Sequence, residues 1–428
     1  MSLYNSTVKT RIIDPVFDRS NFRTEYRLGG TDALYLSNMR LLDMGISVDK
    51  ATKLMPLTGA FCMKSIQMFD GNKLLDQMQE ASIYKTFQNF NHTNDSSISV
   101  QSYLDKTDWA FQAETSTSWD AAHVPDIPNG LVESVSAQGA IDDTEEDEPK
   151  QKSWFSLKGF LPFLSASLYV PTTVFKDLRL VIQWKSPAEL KNLVVDRTAD
   201  PNTYAHTSLV VDEVVSGEGR EAALKAYQGI VFKAVEHDSV HVNAIAPAAD
   251  KSVVQPNRFL VNGFNNKTVE RLVVVQSPQD QTTWVNGTTT EGLSNQASQA
   301  QLNNEFQFRV NGQNVLPRTG YTKKNQRLAA LTDSYGECCL IPTGNFSYVP
   351  RMGNFVADSS YDDAILGATD YTCVEVRRPV TEMIVEYNRT GVAGAGNARI
   401  NQALRLNLFG ECMKSIRVDG GKYVISYL

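Results

Sequence analysis

The feature that most constrains the fold of this chain is a succession of short apolar runs separated by turn dipeptides. The runs are Leu178–Trp184, Ser208–Val215, Arg271–Val275, Glu305–Val310, Thr372–Val376 and Met383–Tyr387. Several alternate apolar and polar residues, as a strand with one buried face does. The dipeptides are Asp70-Gly71, Asn262-Gly263, Asn286-Gly287, Asn311-Gly312 and Asp419-Gly420. Such pairs supply the positive φ angles of tight hairpins. The pattern predicts an all-β chain built of sandwiches.

Helical patterns are few, so we expect only a few short helices in loops. Asn72–Gln88 carries a helical stripe, made by Leu74, Leu75, Met78, Ile83 and Phe87. Gly219–Gln228 is rich in alanine and other good helix formers. Phe160–Phe175 is apolar but contains two prolines, so it predicts a short helix or turn packed against a sheet.

The length of 428 residues suits two sandwiches of roughly 200 residues each. We place the division near Pro247–Val254, where two prolines break the strand pattern. The predicted parts are an N-terminal arm (residues 1–21), a first roll (22–248) and a second roll (249–428). The arm shows no strand periodicity in this interpretation, and we expect it to thread under neighbouring subunits.

The bulk composition excludes several classes of protein. Hydrophobic residues make up 42% and charged residues 21%, which is typical of a globular chain rather than a disordered or fibrous one. The net charge of −7 argues against a surface built to hold a phosphate backbone, so direct nucleic-acid binding is not expected. No run reaches the roughly 18 apolar residues of a membrane span. The first residues are mixed polar and charged, unlike a secretory signal.

Cysteine usage indicates a reducing compartment, because the five cysteines are few and show no paired spacing. We therefore expect a chain made in the cytosol or nucleus and not secreted. Asn-x-Ser/Thr sequons begin at Asn5, Asn91, Asn266, Asn286, Asn345 and Asn388. We interpret them as a by-product of a β protein rich in Asn and Thr.

A polar stretch at residues 113–152 contains the acidic run Asp142–Glu148. Charge repulsion and the scarcity of apolar residues predict an exposed loop. A solvated loop is the simpler interpretation, and an outward-facing loop on an assembled surface is the more specific one. A second polar stretch, residues 282–304, has a similar composition.

His237 and His241, next to Glu236, are the histidines with metal-like spacing. Residues four apart share a face on a helix and can bind one ion. The flanking residues predict a strand, where residues four apart stand about 13 Å from each other. We therefore expect no metal there. The other histidines (His92, His123 and His206) have no partner visible in the sequence.

No other motif predicts chemistry. Gly391–Gly396 lacks the order and the following Lys of a phosphate loop, and we interpret it as a flexible loop. Cys338 and Cys339 are adjacent, which offers neither a disulfide nor a chelate. The basic cluster of Arg318, Lys323, Lys324 and Arg327 either contacts an acidic partner or nucleic acid or, more simply, lies in a solvated loop. No nucleophile elbow or zinc-protease motif occurs. We predict no catalytic, cofactor-binding or metal-binding residue.

The pentapeptide Cys-Met-Lys-Ser-Ile occurs twice, at Cys62–Ile66 and Cys412–Ile416. Each copy is followed by an aspartate and a glycine turn. A tandem duplication of two halves would separate the copies by roughly 200 residues, and these stand 350 apart. The echo therefore does not demonstrate two equivalent domains. It predicts only that each copy is a strand running into a tight hairpin.

Three segments carry a resemblance to a known family. They are WFSLKGFLPFLSASLYVPTTVFKDLRLVIQW with the following YAHTSLVVDEVV (between Trp154 and Val215), GAFCMKSIQMFDGNKLLDQ (from Gly59) and RFLVNGFNNKTVERLVVVQSP (from Arg258). The first resembles the segment that precedes a sandwich strand in that family, together with the strands that follow it. The second resembles the family's early strand-turn-helix unit, and the third resembles its entry into the second roll. The family is the double jelly-roll major capsid proteins of polinton-like viruses, adintoviruses and virophages. The matches cover about half of the chain.

The resemblance implies two tandem eight-stranded jelly rolls. It also implies that three copies form a pseudo-hexameric capsomer of an icosahedral DNA virus shell. The implied partners are the chain itself, neighbouring capsomers, and penton and minor capsid proteins. Contact with an inner membrane or a cement protein stays open. The implied location is the virion.

Two other functions stay open beside the non-catalytic capsid subunit. A receptor- or carbohydrate-binding spike predicts aromatic residues on loops, and Trp109, Trp119 and Trp284 lie in or near polar stretches. A glycan-cleaving enzyme predicts two facing carboxylates, which a sequence cannot place.

Overall fold

The computed structural model describes residues 6–16, 22–29, 32–44, 63–84, 153–186, 208–246, 253–279, 305–316, 334, 372–391, 403–419 and 422–428.

The first half of the chain forms two antiparallel sheets. The strands are β1 (Thr7–Ile13), β2 (Arg23–Leu28), β3 (Leu34–Leu36), β4 (Arg40–Met44), β5 (Met63–Asp70), β6 (Lys73–Gln79), β7 (Ser153–Ser156), β8 (Tyr169–Pro171), β9 (Leu178–Trp184) and β10 (Ser208–Ser216). One sheet has the order β2-β9-β5-β6. In the other, β10 pairs with β1 on one side and with β4 and β3 on the other, while β7 pairs with β4 and β8 with β3.

The second half repeats this pattern. Its strands are β11 (Gly229–Val242), β12 (Val253–Val261), β13 (Lys267–Pro278), β14 (Glu305–Val310), β15 (Gln313–Asn314), β16 (Thr372–Val380), β17 (Met383–Gly391), β18 (Leu404–Asp419) and β19 (Lys422–Tyr427). The sheets have the orders β11-β18-β13-β16 and β12-β17-β14-β15, and β19 pairs with β18.

Both halves therefore share one connectivity. In each, the first strand pairs with a strand from the end of the roll, as β1 does with β10 and β11 with β18, which only its hairpin partner β19 follows. The orders β1-β10-β4-β7 and β2-β9-β5-β6 match β11-β18-β13-β16 and β12-β17-β14-β15 strand for strand. This is the strand order of a jelly roll. The chain has a double jelly-roll fold, which confirms the predicted fold class.

Two short helices and a 3₁₀ turn connect the strands. The 3₁₀ turn is Leu157–Gly159, α1 is Pro162–Ala166 and α2 is Glu218–Ala226. Proline stands at the first position of α1, where a missing N–H costs nothing. The prediction of a helix at 219–228 is confirmed. So is the prediction of a short helix at 160–175, because α1 packs against β11.

The sandwich interiors are apolar. One cluster fills the second roll and includes Phe306, Phe308 and Tyr387. A larger cluster fills the first roll around Trp184 and Tyr26, and continues into β11, β13 and β18. Because that cluster includes residues of both rolls, the rolls pack on each other through apolar contacts.

Three expectations are corrected by these elements. Lys73–Gln79, expected to be helical, is a strand that follows a tight turn after β5; residues 81–84 make a helical turn, and residues 85–88 lie outside the described ranges. Thr7–Ile13, expected to be an arm without strand structure, pairs along its length with β10. β11 was assigned to the first roll, yet every one of its residues pairs with β18. We therefore propose that the second roll begins at Gly229 rather than near residue 249.

The predicted turns have mixed outcomes. Asp70 pairs with Lys73, and Val310 pairs with Gln313, so two hairpins are confirmed. Asp419 pairs with Lys422, although residues 420 and 421 lie outside the described ranges. The Asn262-Gly263 turn joins strands of two different sheets and is not a hairpin. Asn286-Gly287 lies outside the described residues.

The two copies of the repeated pentapeptide take the predicted form. Residues 63–66 begin β5, which turns into β6, and Cys412–Ile416 lies in β18, which turns into β19. β5 lies third in its four-stranded sheet, whereas β18 pairs with the first strand of its roll. The copies therefore occupy different positions in the two rolls.

Candidate functional site

The two rolls meet along a junction made by β6, residues 80–84 and α1 on one side and by β11, β18 and β19 on the other. Aromatic rings form its apolar part. Tyr84 packs on Phe409 with ring centroids 5.0 Å apart, and Phe163 meets Phe232 edge-on at 6.0 Å. These rings come from strands and turns more than 60 residues apart, so the junction is set by tertiary packing.

A carboxylate and an ammonium are buried together at this junction. Asp76 in β6 is fully buried and Lys414 in β18 is 2% exposed. The Asp76 carboxylate accepts hydrogen bonds from the backbone amides of Gln77 (2.9 Å) and Phe163 (2.8 Å). Burial raises the pKa of Asp76 to about 7, against the opposing effect of these bonds and of the Lys414 charge. Burial lowers the pKa of Lys414.

A second carboxylate, Glu236 in β11, balances the charge of this group. It accepts a hydrogen bond from the Tyr427 hydroxyl and pairs with Lys267 Nζ at 3.0 Å. Burial alone would raise the pKa of Glu236, but the Tyr427 hydrogen bond and the Lys267 charge outweigh it and hold the pKa below its usual value. The Lys414 ammonium also lies over the Tyr427 ring, 5.3 Å from its centroid. Two cations thus face two carboxylates.

Polar bridges join the rolls on either side of this group. Glu80 pairs with Arg405 at 2.9 Å. The Tyr84 hydroxyl donates to Glu411, which also pairs with Arg271. Tyr423 Oη donates to Asp70 at 2.7 Å. Bonds with such directional geometry fix the angle between the rolls. The junction thus joins the two rolls through both apolar packing and directional polar bonds.

The outer faces of the two four-stranded sheets are charged. On the β2-β9-β5-β6 sheet, the Glu25 carboxylate lies within 4 Å of three arginines, Arg23, Arg27 and Arg179. On the β12-β17-β14-β15 sheet, Glu386 lies 3.3 Å from Arg309 and 3.8 Å from Arg258. The Glu386 pairs are partly exposed and contribute little stability, whereas the Glu25 carboxylate is only 3% exposed. Charges on such faces restrict which surfaces can dock.

A hollow of about 380 Å³ lies on the outer face of the second of these sheets. Its lining is polar, with Pro256 and Arg258 of β12, Glu305 and Arg309 of β14, and Asn388 of β17 among its residues. Its two arginines, Arg258 and Arg309, balance its two glutamates, Glu305 and Glu386, so the hollow has no excess charge of either sign to attract a small ion. It suits a protein surface better than a small ligand, which prefers a mostly apolar pocket.

Exposed apolar residues mark two edge strands. Ile12 (67% exposed) and Val8 (47%) lie on β1, and Val254 (60%) and Leu260 (58%) lie on β12. Each strand pairs with a single neighbour within the described ranges. Edge strands with apolar side chains are sites where another chain can pair.

The structure places the predicted histidine pair on a strand, as expected. His237 and His241 both lie in β11. His237 Nε2 contacts Asn407 Oδ1 at 3.3 Å, and burial lowers the pKa of His237. No group of three or more metal-ligating side chains occurs within the described ranges.

Most other residues singled out in the sequence lie outside the described ranges. They are His92, His123, His206, Cys338, Cys339, Arg318, Lys323, Lys324, Arg327, Trp109, Trp119 and Trp284, together with the segments 113–152 and 282–304 and all of Gly391–Gly396 except Gly391. Those expectations stay predictions. No helix among the residues that the structure describes is long and apolar enough to cross a membrane.

Sequence reasoning missed the buried charges of the junction. Asp76 and Lys414 lie 338 positions apart, and no local pattern links them. A signal did exist for β1, because in TVKTRII β-branched residues alternate with Lys9 and Arg11. That alternation is typical of a strand.

No protein-family model matches the chain, and no curated protein matches it. Solved structures do match over nearly its whole length. PBCV-1 VP54, fitted into a cryo-EM reconstruction of the virophage Sputnik, has 10% identity and a TM-score of 0.56, covering 100% of this chain and 98% of its own. The mavirus major capsid protein has 9% identity and a TM-score of 0.55, covering 99% and 90%.

A structure of the Sputnik virophage itself has 9% identity and a TM-score of 0.53, covering 98% of this chain and 88% of its own. At such low identity the likeness concerns the fold. The chain shares the double jelly-roll architecture of these capsid proteins from end to end, with both rolls present.

Proposed function

We propose that this chain is a major capsid protein, the structural subunit of an icosahedral DNA virus shell. The observation that carries the proposal is the complete pair of jelly rolls, matched over at least 98% of the chain by these viral structures. The junction supports it, because a shell subunit must hold its two rolls at one angle. In this role the chain is not an enzyme and needs no cofactor.

Three copies form a pseudo-hexameric capsomer, in which six rolls surround a common axis. Cyclic association of this kind closes on itself, so the capsomer is a finite unit. Capsomers then contact one another and the penton and minor capsid proteins. The chain is made in the host cytosol or nucleus and ends in the virion, with residues 113–152 as the outward-facing loop.

Light scattering combined with negative-stain microscopy of the purified chain tests this proposal. We expect a mass three times the 47.5 kDa of one chain and particles with a pseudo-hexagonal outline. A spike protein is the competing function. A stable monomer that binds sugars in a glycan-array experiment would refute the capsid proposal in favour of that alternative.

A further inference from the structure

The first strands of the two rolls are equivalent in connectivity but differ in burial. β1 pairs with β10, and β11 pairs with β18, the equivalent strand of the second roll. In β11, Phe232, Ala234 and Glu236 are all less than 7% exposed. In β1, six of seven residues are exposed and the seventh is half-buried. The first strand is thus partly buried in the second roll and exposed to solvent in the first roll.

The first roll is what covers β11. The edge strand β6 of the first roll lies against it, and α1 packs on the same strand through Phe163 and Phe232. β6 is the fourth strand of its sheet, in the order β2-β9-β5-β6. The equivalent strand of the second roll is β15, the fourth in the order β12-β17-β14-β15. Within the described ranges, β15 pairs only with β14, and both of its residues are exposed.

We propose that β1 of one copy is covered by the β14–β15 edge of a second copy, so that the contact between the rolls of one chain is repeated between chains. This inference rests on the proposed function and names the surface through which the capsomer closes. Each copy then offers one β1 and one β14–β15 edge. The contact is head-to-tail, and such contacts generate rings when the rotation closes.

Exposed side chains on β1 mark this strand as a contact surface. Val8 and Ile12 are two of the larger apolar side chains left exposed, and they lie on the same face of the strand. Lys9 and Arg11 alternate with them, and Arg11 pairs with Glu213 of β10. An edge strand that is exposed along its length would risk pairing with unrelated chains unless a specific partner covers it. A second copy is always present at assembly concentration.

Substitution at Ile12 tests the surface. Ile12→Asp places a charge on the exposed face of β1, and we expect a folded monomer by light scattering and circular dichroism, with at least a tenfold loss of trimer. Val424→Asp is the matched control, because Val424 on β19 is 65% exposed against 67% for Ile12. The control is expected to remain trimeric. A folded Ile12→Asp variant that still forms trimers would overturn the inference.

Cross-linking provides a second readout that does not depend on the folding of that variant. Ile12→Cys combined with Asn314→Cys, treated with a short bis-maleimide, is expected to give covalent dimers and trimers on a denaturing gel. Val424→Cys with Asn314→Cys and the unmodified chain measure the background from other pairs and from native cysteines. Trimers that cross-link at the 12–314 pair no more than these controls would show that β1 is covered by something else. A wild-type monomer would instead refute the proposed function.

Discussion

Lys414 is one of the two cations of the inter-roll junction. It is nearly fully buried, and its charge faces Asp76 and Glu236. Replacing it with methionine keeps the side-chain volume but leaves two buried carboxylates with one fewer cation. The Lys414 charge favours the ionised forms of both carboxylates, and an opposite charge of this kind typically shifts a carboxyl pKa by about 1–3 units, which corresponds to about 1–4 kcal/mol. We expect Lys414→Met to lower the free energy of unfolding by this amount in urea titrations.

An exposed lysine provides the matched control for this prediction. Lys233 in β11 pairs with Glu270, and its side chain is 48% exposed. Exposed pairs contribute about 0–1 kcal/mol, so Lys233→Met should change stability little. Equal losses for Lys233→Met and Lys414→Met would mean that the buried charges are not coupled as the contacts indicate.

Asp76 makes the stability of the fold depend on pH. Burial raises its pKa to about 7 in the folded chain, whereas an unfolded aspartate has a pKa of about 3.9. The folded chain therefore holds a proton that the unfolded chain releases. The resulting stabilisation is complete below about pH 4 and is lost as the pH rises through about 7. Relative to Asp76→Asn, the wild type should lose about 2 kcal/mol between about pH 5 and pH 8.

Urea titrations at several pH values measure this difference. Asn cannot titrate, so the variant removes the contribution of Asp76 while keeping a side chain of the same size. Glu236 and Lys414 interact with Asp76, so their response contributes to the difference, whereas carboxylates remote from the junction are common to both proteins and cancel in the comparison. Parallel profiles for the two proteins would contradict a titrating Asp76.

At the scale of elements, the start of β11 depends on a glycine. Gly229 has φ of +114°, and a Cβ there would lie 2.0 Å from the carbonyl oxygen of Ile416 in β18. Any side chain must therefore push the two strands apart at the start of β11. We expect Gly229→Ala to destabilise the chain by about 3 kcal/mol or more, as a combination of backbone strain and overpacking.

Gly71 in the β5–β6 turn separates these two causes. It also has a positive φ (+57°), but nothing lies within 4 Å of a Cβ built there. Gly71→Ala should therefore cost only the left-handed backbone term, about 1–2 kcal/mol. If thermal denaturation shows equal losses for the two variants, the close approach of β18 has no energetic consequence.

The local sequence predicted some strands correctly and others wrongly. Leu178–Trp184 and Met383–Tyr387 were predicted as strands, since their period of two matches the buried face they present. The prediction of a helix at Lys73–Gln79 was wrong because Leu74, Leu75 and Met78 fit a helical stripe as well as a strand. The hairpin at Asp70-Gly71 favours the strand, because it places β5 beside these residues as a pairing partner. Strand pairing is a non-local interaction, and a helical spacing of side chains does not outweigh it.

The junction was beyond sequence reasoning for a related reason. The absence of a shared metal site at His237 and His241 could be predicted from their spacing, because residues four apart on a strand stand too far from each other to bind one ion. Asp76, Glu80 and Tyr84 find their partners in β18, more than 300 residues away. Such contacts exist only once both rolls have folded and docked. Composition and local pattern predict the rolls, whereas their docking follows from tertiary structure.

At the scale of the whole molecule, the shared apolar cluster makes the two rolls one cooperative unit. Phe409 belongs to the sheet of the second roll but packs against Tyr84 of the first. Unfolding one roll would expose this ring and leave Glu80 and Glu411 without their partners across the junction. We therefore expect a single calorimetric transition, with equal calorimetric and van't Hoff enthalpies for the folding unit.

Truncating a phenylalanine on either side of the β11-β18-β13-β16 sheet tests this coupling. Phe409→Ala removes a ring at the junction, whereas Phe306→Ala removes one from the interior of the second roll, where it packs on Tyr387. Each should cost about 3–5 kcal/mol, because both rings are fully buried. Only Phe409→Ala should divide the thermal transition into two, because it weakens the contact between the two rolls, whereas Phe306→Ala weakens the interior of one roll. Two transitions in the wild type, or a divided transition in Phe306→Ala, would show that the junction does not couple the rolls.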